Sequence, residues 1–251
     1  MSHHIVEADK IHYSYPDGTA ALAGVSFRIP HGESVALVGE NGAGKSTLLQ
    51  HFTGCLLPSS GSLSIGGVSV EKQNLPAVRR AVGMVFQNPD DQLFMPTVFE
   101  DVAFGLLNLG VPEAELGGKV MGALETVGAA QLKGRPPYRL SQGEKRAVSI
   151  AGVLALSPDI LVMDEPTSNL DPLSRRRLIG LLKTFKHTRI IATHDLDFAL
   201  ELCERALVIH KGLITADGPT REIFGDERLL KSSSLEKPSG MRKCPVCGGK
   251  Q

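Results

Sequence analysis

The segment Gly39-Glu40-Asn41-Gly42-Ala43-Gly44-Lys45-Ser46-Thr47 has the glycine and lysine spacing of a phosphate-binding loop. Its glycines let main-chain N–H groups converge on phosphate oxygens, Lys45 adds a cation on a long stem, and the Ser46 hydroxyl can ligate Mg²⁺. The glycines are not spaced G-x-G-x-x-G, which excludes a dinucleotide fingerprint. A second chemical group is Ile160-Leu161-Val162-Met163-Asp164-Glu165, an apolar run that ends in two carboxylates. Adjacent carboxylates at a strand end are commonly a solvated surface. With a phosphate loop in the same chain, Asp164 is suited to hold Mg²⁺ through water and Glu165 to polarise a water for attack on a terminal phosphate. His194 follows another apolar run and belongs to the same kind of strand end; no role is assigned to the other histidines. Ser141 and Glu144 have the S-x-x-E spacing of a capping box at the start of a long amphipathic helix.

These residues need a frame that delivers them to one place. Ser34 to Val38 reads as a buried strand that feeds the glycine-rich turn, and Lys45 to Phe52 has helical spacing. Val82 to Phe86, Ile160 to Met163, Arg189 to Thr193 and Ala206 to His210 read as further strands of a largely parallel sheet covered on both faces. In such sheets, ligands sit at the carboxyl edge. Ile5 to Pro30, with the turn Pro16-Asp17-Gly18 and the strand Val25 to Ile29, reads as a small antiparallel β region. From Asn88 to Pro158 no strand is expected; helices are expected over Val98 to Asn108, Pro112 to Val127 and Ser141 to Leu156, as a helical lobe inserted in an α/β core. From about residue 232 the composition turns to Ser, Lys, Pro and Gly, which predicts a flexible tail.

With 251 residues, the chain is long enough for one large α/β unit. Lys+Arg and Asp+Glu are equal at 27 each, so no overall charge favours nucleic acid or an anionic membrane as partner. The longest apolar run, around Ala147 to Leu156, is too short to span a bilayer, and a cytosolic chain is expected. Cys55 and Cys203 stand alone and read as buried small hydrophobes. Cys244 and Cys247 form half of a zinc site, which two copies of the chain would have to complete. Arg175-Arg176-Arg177 reads as a solvated helix face.

Leu140-Ser141-Gln142-Gly143-Glu144 resembles the signature motif of the ABC ATPases, usually written L-S-G-G-Q, and the motifs stand in that family's order from about Ile5 to Phe224. The resemblance implies a P-loop, RecA-like α/β core with an N-terminal antiparallel β region and an inserted helical subdomain at about 88–158, within an ATPase domain of residues 1–231. It also implies that ATP lies on Asn41, Gly42, Ala43, Gly44, Lys45, Ser46 and Thr47. Tyr15 then stacks on adenine, with Tyr13 as the alternative. Ser46, Gln87 and Asp164 hold Mg²⁺, and Glu165, His194, Gln87 and Lys45 serve hydrolysis. Ser168 to Asp171 matches the D-loop. Ser141, Gly143 and Glu144 would close over the ATP of a second ATPase subunit, a twin or a close paralogue. Gln142 replaces a glycine of the motif and Glu144 a glutamine. The second change brings a carboxylate near a polyphosphate unless it turns back into its own cap.

Gln87-Asn88-Pro89-Asp90-Asp91-Gln92-Leu93-Phe94, followed by Asp101-Val102-Ala103-Phe104-Gly105, resembles the ATPases of energy-coupling-factor importers, including cobalt and nickel systems. That likeness implies separate integral membrane subunits docked on the helical lobe, and import of a metal ion or a vitamin from a site on the inner face of the membrane. A soluble ATP-gated clamp on nucleic acid is the competing class. It wants a long coiled coil between Lys45 and Ser141, where no sustained heptads occur. A metal-binding module built on Cys244 and Cys247 is the third.

Overall fold

The computed structural model describes residues 6–241. The elements run β1 (Val6–Ser14), β2 (Ala20–Ile29), β3 (Ser34–Val38), α1 (Lys45–Phe52), β4 (Ser60–Ile65), β5 (Val68–Ser69), α2 (Leu75–Ala81), β6 (Val82–Val85), α3 (Val98–Asn108), α4 (Glu113–Thr126), α5 (Gln142–Ala155) and β7 (Ile160–Asp164). They continue with α6 (Pro172–Thr184), β8 (Thr188–Thr193), α7 (Leu196–Leu202), β9 (Arg205–His210), β10 (Leu213–Pro219), α8 (Thr220–Gly225) and α9 (Glu227–Ser232).

One sheet has the order β10-β9-β3-β8-β7-β6, parallel except for β10, which pairs antiparallel with β9. Every residue of β3 and β7 is buried, as continuous apolar runs between two helical layers should be. The second sheet, β2-β1-β4-β5, is antiparallel. Its hairpin turn is held by Thr19 N–H donating to Asp17 Oδ1 at 2.9 Å. Strands β4, β5 and β10 escape a sequence reading because their exposed faces carry Ser, Gly and Asp instead of a strong apolar alternation.

Three apolar clusters organise the chain. The first lies between the antiparallel sheet and one face of the parallel sheet, around α1. The second covers the opposite face, under α6 and α7, and the third is the interior of the lobe formed by α3, α4 and α5. Helix α5 serves two of them: Val148 and Ala151 fill the lobe, whereas Ile150 and Val153 fill the second cluster. Burying a side chain such as Ile150 is worth about 2 kcal/mol, so α5 is fastened to both bodies through its opposite faces.

The described chain stays packed beyond the expected boundary at residue 232. Leu235 and Met241 pack on the second cluster, Ser233 is buried, and Ser239 and Gly240 donate to Asp197 through Ser239 N (3.0 Å), Ser239 Oγ (2.7 Å) and Gly240 N (2.9 Å). Composition alone misses this because one carboxylate and two apolar anchors suffice to pin a polar segment. Cys55 is a second correction: it is exposed, in the turn after α1 where Gly54 has φ +64°, whereas Cys203 is buried as expected.

Candidate active site

The register of the parallel strands decides which loops meet. Val38 pairs with Thr193, Asp164 with Ala192, and Val85 with Met163. The residues that follow each strand, Gly39, His194, Glu165 and Phe86-Gln87, therefore leave the sheet along one edge. The P-loop turns there into α1, with Gly44 as N-cap at φ +107°. Lys45 folds back over the loop, its Nζ donating to Gly39 O at 2.7 Å and Glu40 O at 3.1 Å. Burial lowers its pKa from the usual lysine value, and the nearby Glu165, Asp164 and Glu40 carboxylates act against that shift.

Glu165 is 5 % exposed and held in the left-handed region at φ +44°, where its N–H donates to Ala192 O at 2.8 Å. A non-glycine residue pays strain for such a conformation, and here the carboxylate is fixed by it. Its Oε2 accepts from Thr193 Oγ1 at 3.1 Å and His194 N at 3.3 Å, and lies 2.9 Å from His194 Nδ1. Its Oε1 faces Lys45 Nζ at 3.9 Å. The imidazole of His194 is exposed.

Asp164 is buried, and its Oδ1 has no hydrogen-bond partner. Burial raises its pKa above the usual aspartate range, as does the charge of Glu165, while a hydrogen bond with Ser46 and the cations Lys45 and Arg146 pull it down. A buried carboxylate oxygen without a donor, beside an exposed serine hydroxyl, suits a hard divalent cation. Ser46 and Asp164 are thus a fitting pair of ligands for Mg²⁺, which would offset the charge of bound phosphates.

Tyr15 and Tyr13 are told apart by their neighbours. Tyr15 OH lies 2.9 Å from Thr47 Oγ1 on α1, and its ring meets Tyr13 edge-on at 5.2 Å. Tyr13 packs against the first core cluster and His51, at 5.0 Å, so it is the prop and Tyr15 the outer ring.

Ser141, Gly143 and Glu144 do not join this group. They border a separate cavity of about 790 Å³ between α5 and α6, whereas Gly39, Glu40, Asn41 and His194 line another of about 500 Å³. The two groups of residues therefore line different cavities of the chain. The capping box is formed: Ser141 N and Oγ donate to Glu144 Oε2 at 2.8 and 3.0 Å, and Glu144 N donates to Ser141 Oγ at 3.3 Å. Those bonds lower the Glu144 pKa and turn its charge back into the cap.

A family model described as ABC transporter matches residues 22–168. The chain belongs to the ABC transporter family. It is an ATPase subunit by that family's domain. A protein of Geobacter sulfurreducens that bears the name "Putative ABC transporter ATP-binding protein" is 62% identical to it over 99% of this chain and 100% of its own length. The energy-coupling factor transporter ATP-binding protein EcfA of Methanocaldococcus jannaschii is 45% identical, over 94% of this chain and 86% of its own. Among solved structures, cbiO1 of Clostridium perfringens, part of the ABC transporter complex cbiONQ, aligns with TM-score 0.80 and 38% identity over 92% of this chain and 94% of that one.

In this ABC ATPase several polar residues near the site make contacts that no motif announces. Arg146, one turn into α5, is 3 % exposed and donates from Nη1 to Phe86 O at 2.6 Å and from Nη2 to Gln87 O at 2.5 Å. Its sequence signals are its place in Glu144-Lys145-Arg146-Ala147, which resembles the energy-coupling-factor ATPases, and a cation on the inward stripe of an apolar helix. Arg175 departs from the expected solvated face: it pairs with Asp195, the N-cap of α7, at 3.1 Å and lies over the Phe198 ring at 5.6 Å. His210, given no role from sequence, ends β9 and lies 3.2 Å from Glu40 of the P-loop. Cys244 and Cys247 lie outside the described residues. Among the described residues no cluster of three or more His, Cys, Asp or Glu is placed to hold a metal, and no helix is long and apolar enough to cross a membrane.

Proposed function

We propose that this ABC ATPase hydrolyses Mg²⁺-ATP at two composite sites between paired subunits, as the energy-coupling-factor type of ATPase. Each site combines the P-loop edge of one subunit with the Ser141 end of α5 from the other, a twin or a close paralogue. The separation of the two half-sites within one chain carries this reading, because a capped helix N-terminus suited to an anion stands apart from the P-loop that would hold it. Asn41 to Thr47 grip the phosphates through main-chain N–H groups, Lys45 moves from the loop carbonyls to the phosphate oxygens, and Tyr15 covers the base. Glu165 offers Oε1 to the attacking water, since Oε2 is already committed to Thr193 and His194. His194 presents its exposed ring to the terminal phosphate, and Gln87 contacts the cation and the attacking water. Glu144, drawn into its cap, leaves the Ser141 end of the helix available to the anion.

The work done is import of a small solute through separate integral membrane subunits, with this chain at the cytoplasmic face. Its likeness to EcfA and cbiO1 favours a transition-metal ion such as cobalt or nickel, or a vitamin, as cargo. Phe94 and Phe104, 63% and 39% exposed and 5.0 Å apart edge-on, give the helical lobe an apolar surface with Leu107 for a helix of such a membrane partner.

The test is size-exclusion chromatography and phosphate release with Mg²⁺-ATP. Glu165→Gln is expected to accumulate as an ATP-bound dimer without turnover, and Lys45→Ala to lose nucleotide affinity. Hydrolysis by Glu165→Gln at the parental rate refutes the assignment. Recovery of the complex from membranes, then uptake of Co²⁺, Ni²⁺ or a vitamin in vesicles, identifies the cargo.

A further inference from the structure

The loop that carries Gln87 is bound to α5 by more than the packing of the lobe. Phe86 and Gln87 follow β6 and have left the sheet, so their main-chain groups need other partners. Helix α5 supplies them. The Arg146 guanidinium takes both successive carbonyls, Phe86 O at 2.6 Å and Gln87 O at 2.5 Å. Gln92 closes the other side: its Oε1 accepts from Phe86 N at 3.2 Å, and its Nε2 donates to Ser149 O of α5 at 2.9 Å. Lys145 adds an ion pair to Asp90 at 2.6 Å. Three residues of α5, Lys145, Arg146 and Ser149, thus hold the loop.

Open space adjoins the same helix. Between α5 and α6 lies the cavity of about 790 Å³, and a second of about 300 Å³ shares Thr126, Ile150, Leu181 and Thr184 with it. Arg146 itself borders the larger cavity, so its guanidinium is held by the two loop carbonyls and not by close packing on that side.

We propose that Arg146 and Gln92 are positioning residues for hydrolysis, which bind the Gln87 main chain to the helix that begins at Ser141 and so fix where the Gln87 side chain stands over the site. This rests on the reading of Gln87 and Ser141 as groups that face ATP. The chemistry requires the fork of an arginine: burial lowers the Arg146 pKa to about 10, yet the group stays charged at neutral pH and fills both carbonyls at once. A lysine keeps the charge that Asp164 feels but can hold the two carbonyls only with a single nitrogen.

The experiment is steady-state hydrolysis of Mg²⁺-ATP by the full chain as Arg146→Lys, Arg146→Gln, Gln92→Ala and the double variant Arg146→Gln/Gln92→Ala, with thermal unfolding of each. The P-loop and Tyr15 are untouched, so KM for ATP is expected to stay within about twofold while kcat falls about tenfold to a hundredfold, the usual result of a misplaced catalytic group. Arg146→Lys is expected to fall with Arg146→Gln, and the double variant to be no slower than the worse single one, because both residues serve one task. Parental kcat in Arg146→Lys, a rise in KM alone, or multiplicative losses in the double variant overturns the proposal. If Arg146→Gln does not fold, Arg146→Lys and Gln92→Ala carry the same expectation and the same refutation. Glu165→Gln in the same assay separates the two levels: if it hydrolyses ATP at the parental rate, the reading of the site falls; if it does not, parental kcat in Arg146→Lys and Gln92→Ala overturns the positioning role alone.

Discussion

Gly44 and Gly42 sit two residues apart in the P-loop, and the structure predicts different costs for the same substitution. Both have positive φ, +107° and +80°. An alanine at either position is strained by about 1–3 kcal/mol. At Gly42 a Cβ meets nothing within 4 Å, so strain is the whole cost. At Gly44 a Cβ falls 2.6 Å from Ala21 O and 3.2 Å from Leu22 Cδ2. The Ala21 carbonyl also lies close to Gly212, where an added Cβ would fall 2.7 Å from it, so its room to shift is small. Gly212 is itself tied by Ala23 N donating to its carbonyl at 2.8 Å and by its own N–H donating to Ala43 O at 3.0 Å. Overpacking of this kind adds about 2 kcal/mol to Gly44→Ala. In a chain of this size, that surplus corresponds to a further loss of about 4–8 °C in Tm relative to Gly42→Ala. Urea unfolding without nucleotide, followed by circular dichroism, is the assay, with an unchanged slope in both variants showing that the shift in midpoint is one of stability. Equal midpoints for the two variants refute the argument from the wedged carbonyl.

Other outcomes follow from burial and capping. Because burial raises the Asp164 pKa, its charged form costs stability once the pH exceeds the usual aspartate value, and that cost is fully present above the raised folded value. Asp164→Asn is therefore expected to raise the nucleotide-free Tm at neutral pH, to lose that advantage in acid, and to abolish Mg²⁺-dependent hydrolysis; an unchanged or lower Tm at pH 7 contradicts the burial account. Burial pushes the Cys203 thiol up to about 11, whereas Cys55 is exposed. With Cys244 and Cys247 replaced by serine, a thiol reagent at pH 8 should titrate one cysteine in the native chain and a second only after denaturation. Ser141→Ala removes the N-cap of α5 and should cost about 1 kcal/mol in urea unfolding. The bonds from Ser141 depress the Glu144 pKa, so this contribution exists above the unfolded glutamate value and fades as the pH falls through the folded one. A cost independent of pH would mean that Glu144 takes no part in the cap.

Local chemistry was legible in the sequence. The P-loop, the strand ending in Asp164-Glu165 and the Ser141–Glu144 box each depend on residues a few positions apart, and short-range geometry forces their form: glycine at positive φ, a carboxylate just past a buried strand, a serine three residues before a glutamate. The expected helix Val98 to Asn108 matches α3, because its Thr97 cap and apolar spacing are also local signals. What only the tertiary structure decided depends on groups far apart in the chain. The Arg146 fork on Phe86 and Gln87, Arg175 on Asp195, the pinning of Ser239 and Gly240 on Asp197, and the wedge of Gly44 and Gly212 on Ala21 all join residues that carry no mutual spacing rule. Periodicity reports which face of an element is buried, but a polar side chain finds its partner only when strand register and helix packing have brought two distant loops to one edge of the sheet.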